Sequence, residues 1–255
     1  MKNKILFIVT QKDIDKELIA KGITKLAYPL FGFSVGYDVT FKLEEIKNDG
    51  YLFINRVLDT KSIDALEKII NNLPNNIKGI IFDDVGIIEL LKNKDIEKIF
   101  YYSHFNTNYM SINYFFDYVD EIIVSTDITE KEIDEIIKMA NKKVSLMAFG
   151  LISAFYSRRA LISNYAEHYN IKRENPMVLE ISDKKFMGYE NEYGTILYHY
   201  PYFNGQRLLK KDIKYALYNP VFLDKESILS AVDGLYDGID TDEGFLDIPT
   251  IYKVK

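Results

Sequence analysis

Short apolar runs alternate with amphipathic stretches from Ile5 to Tyr169, and this rhythm constrains the fold more than any other feature. The spacing predicts strands over Ile5–Val9, Lys25–Phe31, Tyr51–Leu58, Ile77–Phe82, Ile96–Tyr102, Glu121–Thr126 and Lys143–Phe149. It predicts helices over Ile14–Lys21, Phe41–Lys47, Thr60–Leu73, Val85–Leu91, Tyr109–Phe116, Thr129–Ala140 and Phe155–Tyr169, with Thr60 as a cap. The strands are continuous apolar runs rather than alternating ones, so both faces of the sheet must be covered. Seven β–α units in about 165 residues predict an α/β fold with a parallel sheet, closed as an irregular (β/α) TIM-like barrel. A doubly wound open sheet would want a Gly-rich phosphate loop after the first strand, and Thr10-Gln11-Lys12-Asp13 offers none.

After Asn170 the rhythm changes. Met177–Ile181, Lys185–Tyr189 and Gly194–Tyr200 predict a small antiparallel β insert, with turns at Ser182-Asp183 and Asn191–Gly194. Ile213–Leu223 then supplies an eighth strand, Lys225–Tyr236 a last helix, and the tail from Asp242 a final strand. The expected organisation is barrel units over residues 1–170, the insert over 171–205, and the last β–α unit with its tail over 206–255.

Composition then excludes several chemistries. The chain of 255 residues has no cysteine. A thiolate nucleophile, a zinc–thiolate site and a Cys-ligated iron–sulfur cluster are therefore ruled out. Three scattered histidines do not suggest a metal centre either, and no cofactor is expected. A net charge of −6 with interspersed signs disfavours RNA as a general partner. No apolar run approaches the ~20 residues of a membrane span, and the first residues do not read as a signal peptide. A cytoplasmic location is expected.

In a barrel, the site is built from the C-terminal ends of the strands. Polar residues gather at those predicted ends: Asp83 and Asp84, then His104, Asn106 and Asn108, then Ser125 and Asp127. Each also suits a helix cap, because Ser, Thr, Asp and Asn satisfy the first free N–H groups of a helix. Adjacent strand residues point to opposite faces, so only one of Asp83 and Asp84 is expected in the pocket. His104 fits either a general base or a surface loop residue. Arg158 and Arg159 stand where a helix start is predicted and oppose its dipole; an anionic ligand or an ion pair with a nearby acid would explain them. Asn164 and Tyr165 follow on the same predicted helix. No G-x-S-x-G elbow, H-E-x-x-H pair or Walker loop is present.

The stretch LMAFGLISAFYSRRALISNY resembles the signature of the bacterial collagenase-like peptidase family, peptidase family U-thirty-two. Gly150 and Leu161–Tyr165 fall in register with it. The family's signature cysteines fall on Ser153 and Ala160, and its Glu and His on Ser145 and Phe149. FDDVGIIELL, NTNYMSINYF, IIVSTDITEKEI, NEYGTILYH and GFLDIPTIYKVK resemble further family segments, so the likeness covers most of the chain. The family's Asp-Leu-Gly, where this chain has Asp84-Val85-Gly86, favours Asp84 for the pocket. The resemblance implies one of two functions. The first is a metal-free, peptidase-like hydrolase pocket; with no cysteine and no histidine cluster, the residues leave a water activated by Asp84 as the route, with Asp127 or Asp83 as the second acid. Asn106, Asn108, Ser125, Arg158, Arg159, Asn164 and Tyr165 would hold a peptide or a small anionic ligand. The second is an accessory barrel supporting a cysteine-bearing paralogue in RNA pyrimidine hydroxylation.

Overall fold

A computed structural model describes residues 2–181 and 184–248. The predicted turn at Ser182-Asp183 and the end of the tail lie outside the described residues.

The seven predicted strands form where the apolar runs stand. They are β1 (Ile5–Ile8), β2 (Lys25–Pro29), β3 (Gly50–Ile54), β4 (Ile77–Phe82), β5 (Glu97–Phe100), β6 (Glu121–Ile122) and β7 (Leu146–Gly150). The helices between them are α1 (Asp15–Ala20), α2 (Thr60–Asn71), α3 (Gly86–Leu91), α4 (Tyr109–Phe115) and α5 (Glu130–Met139). Local chemistry fixes their starts. Asp59, rather than Thr60, caps α2 by accepting from Ser62 N at 2.9 Å. Thr129 and Glu132 cap α5 reciprocally, with Thr129 N donating to Glu132 Oε2 at 2.8 Å. Phe41–Lys47 does not form the expected helix and keeps only a single 3-10 turn over Leu43–Glu45.

The larger departure lies in the signature region. Residues 155–169 are not one helix. Ser153–Ser157 is a strand, β8, and the helix α6 runs only over Leu161–His168. Next come β9 (Met177–Ile181), β10 (Lys184–Asn191) and β11 (Gly194–Tyr200). The four form one antiparallel sheet in the order β8-β11-β10-β9. Sequence periodicity missed β8 because its exposed Phe155 and half-buried Tyr156 mimic a helical stripe.

The chain returns through β12 (Tyr202–Asn204), β13 (Ala216–Asn219), α7 (Lys225–Val232) and β14 (Thr241–Asp242). The main sheet has ten strands in the order β14-β12-β7-β13-β1-β2-β3-β4-β5-β6 and is parallel except where β12 meets β7. It curls until β6 approaches β7. There the contact is one parallel bridge, Ile123 to Ser145, with Val124 N donating to Ser145 O and Ser145 N to Ile122 O, both at 2.9 Å. Above Ser145 the edge of β7 is taken by β12, which pairs with Phe149 and Gly150. The fold is therefore barrel-like, not a regularly closed (β/α) barrel. The cause is competition for one strand edge: where β12 pairs, β6 cannot.

β1, β3 and β7 are buried on both faces, as a parallel sheet under helices requires. At the N-terminal ends of the strands the interior holds charge instead. Lys214 Nζ lies 2.7 Å from Glu97 Oε1 and 3.2 Å from Glu121 Oε2. Ser145 Oγ donates to Glu121 at 2.7 Å, and Tyr51 OH donates to Glu97 at 2.8 Å. Burial pushes Glu121 up to about 7; burial also acts on Glu97, but the hydrogen bonds from Lys214 and Tyr51 outweigh it and hold Glu97 below its ordinary value. This network plugs the floor, so any opening must face the C-terminal ends.

Candidate site at the barrel mouth

At those C-terminal ends lies a cavity of about 270 Å³. Its walls come from strand ends: Asn55 after β3, Asp83 after β4, Tyr101 and His104 after β5, Leu151 after β7, and Asn219 closing β13. The antiparallel sheet roofs it through Ser153, Tyr156, Ile196 and Tyr198. The insert is thus part of the site. Gly36 permits this close approach: at φ +85°, any Cβ there would collide with the Tyr198 hydroxyl, which donates to Gly36 O at 2.9 Å. Gly150, at φ +128°, lets β7 run tight against Asn219.

The carboxyl group that enters the cavity belongs to Asp83. Burial, with the Asp84 charge adding, pushes it from 3.8 up to about 7. Its own N–H and that of Asp84 are the hydrogen bonds that oppose this rise. Asp84 turns the other way. Its Oδ1 accepts from Gly86 N at 2.8 Å and starts α3, so its capping role is filled. It also borders a shallow apolar groove with Val57, Val85, Tyr102, Phe105 and Phe115. Of the pair, Asp83 lines the cavity, whereas Asp84 was the one expected there.

At the rim, His104 Nδ1 meets Asp127 Oδ2 at 2.6 Å. This hydrogen bond raises the His104 pKa against the opposing pull of burial. Asp127 is positioned by its own backbone, since Asp127 N donates to Ser125 Oγ at 3.0 Å. Ser125 Oγ in turn donates to Ser103 O. Ser125 therefore tethers the β6 end to the β5 end and leads to the dyad without facing the cavity. Asn106 plays a similar part: it is fully buried and donates to Ile123 O at 3.0 Å. Asn108 caps α4, accepting from Met110 N and Ser111 N.

The signature helix lies outside the cavity. Arg158 pairs with Asp59 at 3.0 Å, which is the ion-pair reading of that residue. Arg159, Asn164 and Tyr165 are exposed, and Tyr165 packs at a tilt against Tyr169 with ring centroids 4.7 Å apart. The Leu161–Tyr165 stretch opens a helix whose start has no cap of its own. Glu190 of β10 supplies one, accepting from Ile162 N at 2.8 Å, from Ser163 N at 3.2 Å and from the Ser163 hydroxyl. Thr195 Oγ1 adds a fourth bond at 2.8 Å. Burial works against this carboxylate, but the hydroxyl and backbone donors win and lower its pKa.

Sequence reasoning missed the aromatic floor. Tyr37 and Tyr198 are buried beneath the mouth and Tyr101 is half-buried beside them, and burial keeps all three phenols protonated. Tyr37 OH donates to Asn219 Oδ1 at 3.2 Å. Only the polar ending of an apolar run, Asn55 after β3 and Asn219 after β13, could have flagged these walls from sequence. Among the described residues no group of three or more His, Asp and Glu side chains is arranged to hold a metal ion. Among them, too, no helix is long and apolar enough to cross a membrane.

Fold and site together define a barrel-like α/β protein with an acid–base pair and a second titratable carboxyl at its mouth. The model of peptidase family U32 matches residues 38–175, more than half the chain, and this protein belongs to that family. Among solved structures it is similar to the U32 peptidase Mk0906, with a TM-score of 0.53 and 10% identity over 85% of this chain and 92% of that one. A second similar structure is the Bacillus cereus spore cortex-lytic enzyme SleL, with a TM-score of 0.40 and 11% identity over 94% of this chain and 74% of that one. No curated protein matches.

Proposed function

We propose that this protein is a hydrolase that cleaves small amide or peptide substrates at the barrel mouth, with His104 as general base and Asp127 as its positioning partner. The observation that carries this reading is the 2.6 Å His104–Asp127 pair at the rim of a cavity at the C-terminal strand ends. Asp127 takes Nδ1, which leaves Nε2 to accept a proton. Among the described residues no hydroxyl is hydrogen-bonded to His104, so water is the nucleophile this geometry supplies. His104 Nε2 takes one proton from water, and the hydroxide adds to the amide carbon. The same proton then passes to the leaving nitrogen as the C–N bond breaks, giving an acid and an amine. A cavity of about 270 Å³ takes one amino-acid-sized group, so short peptides fit and folded collagen does not.

The test is a panel of fluorogenic aminoacyl and dipeptide amides. Cleavage by the wild type, reduced about 10²–10⁴-fold in His104→Ala with the fold intact by circular dichroism, supports the reading. Cleavage undiminished in His104→Ala, or none across the panel, overturns it.

A second reading, an accessory barrel for a cysteine-bearing relative, draws on the exposed aromatic face of Tyr102, Phe105, Met110, Tyr114 and Tyr118. Co-purification of such a relative, lost in Phe105→Ser, tests it.

A further inference from the structure

The amides of the cavity wall and two of its phenols are already spent on the protein's own carbonyls. The Asn219 amide donates to Leu151 O at 3.0 Å and the Asn55 amide to Val35 O at 3.1 Å. The hydroxyls of Tyr156 and Tyr198 donate to Tyr193 O and Gly36 O, both at 2.9 Å. The hydroxyls of Tyr102, Ser103 and Ser153 also line it and can either donate or accept, so hydrogen bonding alone sets no preference.

The charges do set a preference. No Lys or Arg lines the cavity, and its charged groups are Asp83 and His104. The nearest guanidinium groups are engaged elsewhere. Arg56 donates to Gly32 O at 2.7 Å and stacks 4.5 Å over Tyr193, while Arg158 is held by Asp59. Asp83 is therefore a half-buried carboxyl group next to a second acid, with no cation in the cavity wall. A charge so placed is costly unless a partner is supplied. The surrounding rings, Tyr37, Phe53, Tyr101 and Tyr156 among them, offer the negative π faces that attract a cation.

We propose that the mouth cavity binds a primary ammonium group on an amino-acid-sized ligand, such as the free amino end of a short peptide, with Asp83 as the paired anion and the aromatic walls as its surround. This names the substrate class of the hydrolase reading and rests on the same cavity. It also reverses the expectation of an anionic ligand drawn from Arg158 and Arg159, whose side chains lie outside.

The groups facing Asp83 are Asp84 beside it, Tyr101 from β5, Tyr156 from β8 and His104 across the rim. The phenols stay neutral at pH 6–8, whereas His104 gains charge on acidification and opposes a cation in the same sense as protonation of Asp83. The pH response must therefore be read beside an Asp83 variant.

The experiment is calorimetric titration of the full chain with n-butylammonium, n-butanol and n-butyrate. At pH 8 butylammonium is expected to bind, with the isosteric alcohol and the carboxylate at least ten-fold weaker. Lowering the pH to 6 weakens it about ten-fold, because the ionised fraction of a group titrating near 7 falls from about ten-elevenths to one-eleventh. Asp83→Asn removes at least ten-fold at pH 8 and flattens most of the pH response. Butyrate binding as well as butylammonium, equal butylammonium affinity in Asp83→Asn, or no butylammonium binding each overturns the proposal. No turnover enters these measurements. Binding without peptide hydrolysis leaves the ammonium site standing and removes the hydrolase reading, and hydrolysis without binding does the reverse.

Discussion

Replacing Asp83 with Asn should stabilise the protein, and only above acid pH. The carboxyl group titrates at about 7 in the folded chain against 3.8 unfolded. Between those values the folded state holds a proton that the unfolded state has lost, so wild-type stability falls as pH rises through the window. The penalty is complete above pH 7. A shift of 7 minus 3.8 at about 1.4 kcal/mol per unit gives an upper bound of about 4 kcal/mol. The cavity is open to water, so about 2–4 kcal/mol is expected. The asparagine variant carries no such term. Urea unfolding at pH 4 should give matching midpoints for the two proteins. At pH 8, with an m-value of about 2–3 kcal/mol/M, the variant's midpoint should lie roughly 1–2 M higher. His104 is present in both proteins, so its own titration cancels. A difference that does not change with pH, or a variant less stable at pH 8, would refute the claim that burial rather than a hidden partner sets this carboxyl group.

Other consequences are more local. Glu190→Ala leaves Ile162 N, Ser163 and Thr195 without their shared acceptor, at an expected cost of about 3 kcal/mol, visible as faster amide exchange in α6. Gly150→Ala drives a Cβ into the Asn219 carbonyl at a φ that L-residues avoid, so a loss of more than ~2 kcal/mol in thermal unfolding is expected. The His104 ring should titrate above its ordinary 6.5 by proton NMR and move down in Asp127→Asn, because the raising hydrogen bond is gone. An unchanged titration would separate the two residues in solution.

The barrel-like sheet was legible because parallel strands buried on both faces are written as apolar runs, and β1 to β7 fall where those runs stand. The seam was not, because the pairing of β12 with β7 is a long-range choice between two strands for one edge. β8 was hidden by the aromatic residues it shares with a helical pattern. At the mouth, the sequence showed polar residues at the strand ends but could not phase them. Asp83 and Asp84 differ only in which side of the chain they leave. Ser125, Asn106 and Asn108 proved to be the ties and caps that such residue types also suit. The pairing of His104 with Asp127 spans 23 residues and two strand ends, a distance at which one sequence carries no signal.

The central claim is that His104, oriented by Asp127, is the base at the mouth of the barrel. It is tested most directly by the pH dependence of kcat/KM on a cleaved aminoacyl amide in an Asp83→Asn background, where Asp83 no longer titrates, measured alongside the NMR titration of His104 in the same protein. Activity should rise with pH, with a midpoint that coincides with the His104 pKa above 6.5, and both should shift down together in Asp127→Asn. A midpoint unrelated to the His104 titration, or one that stays put in Asp127→Asn while His104 moves, would contradict the account.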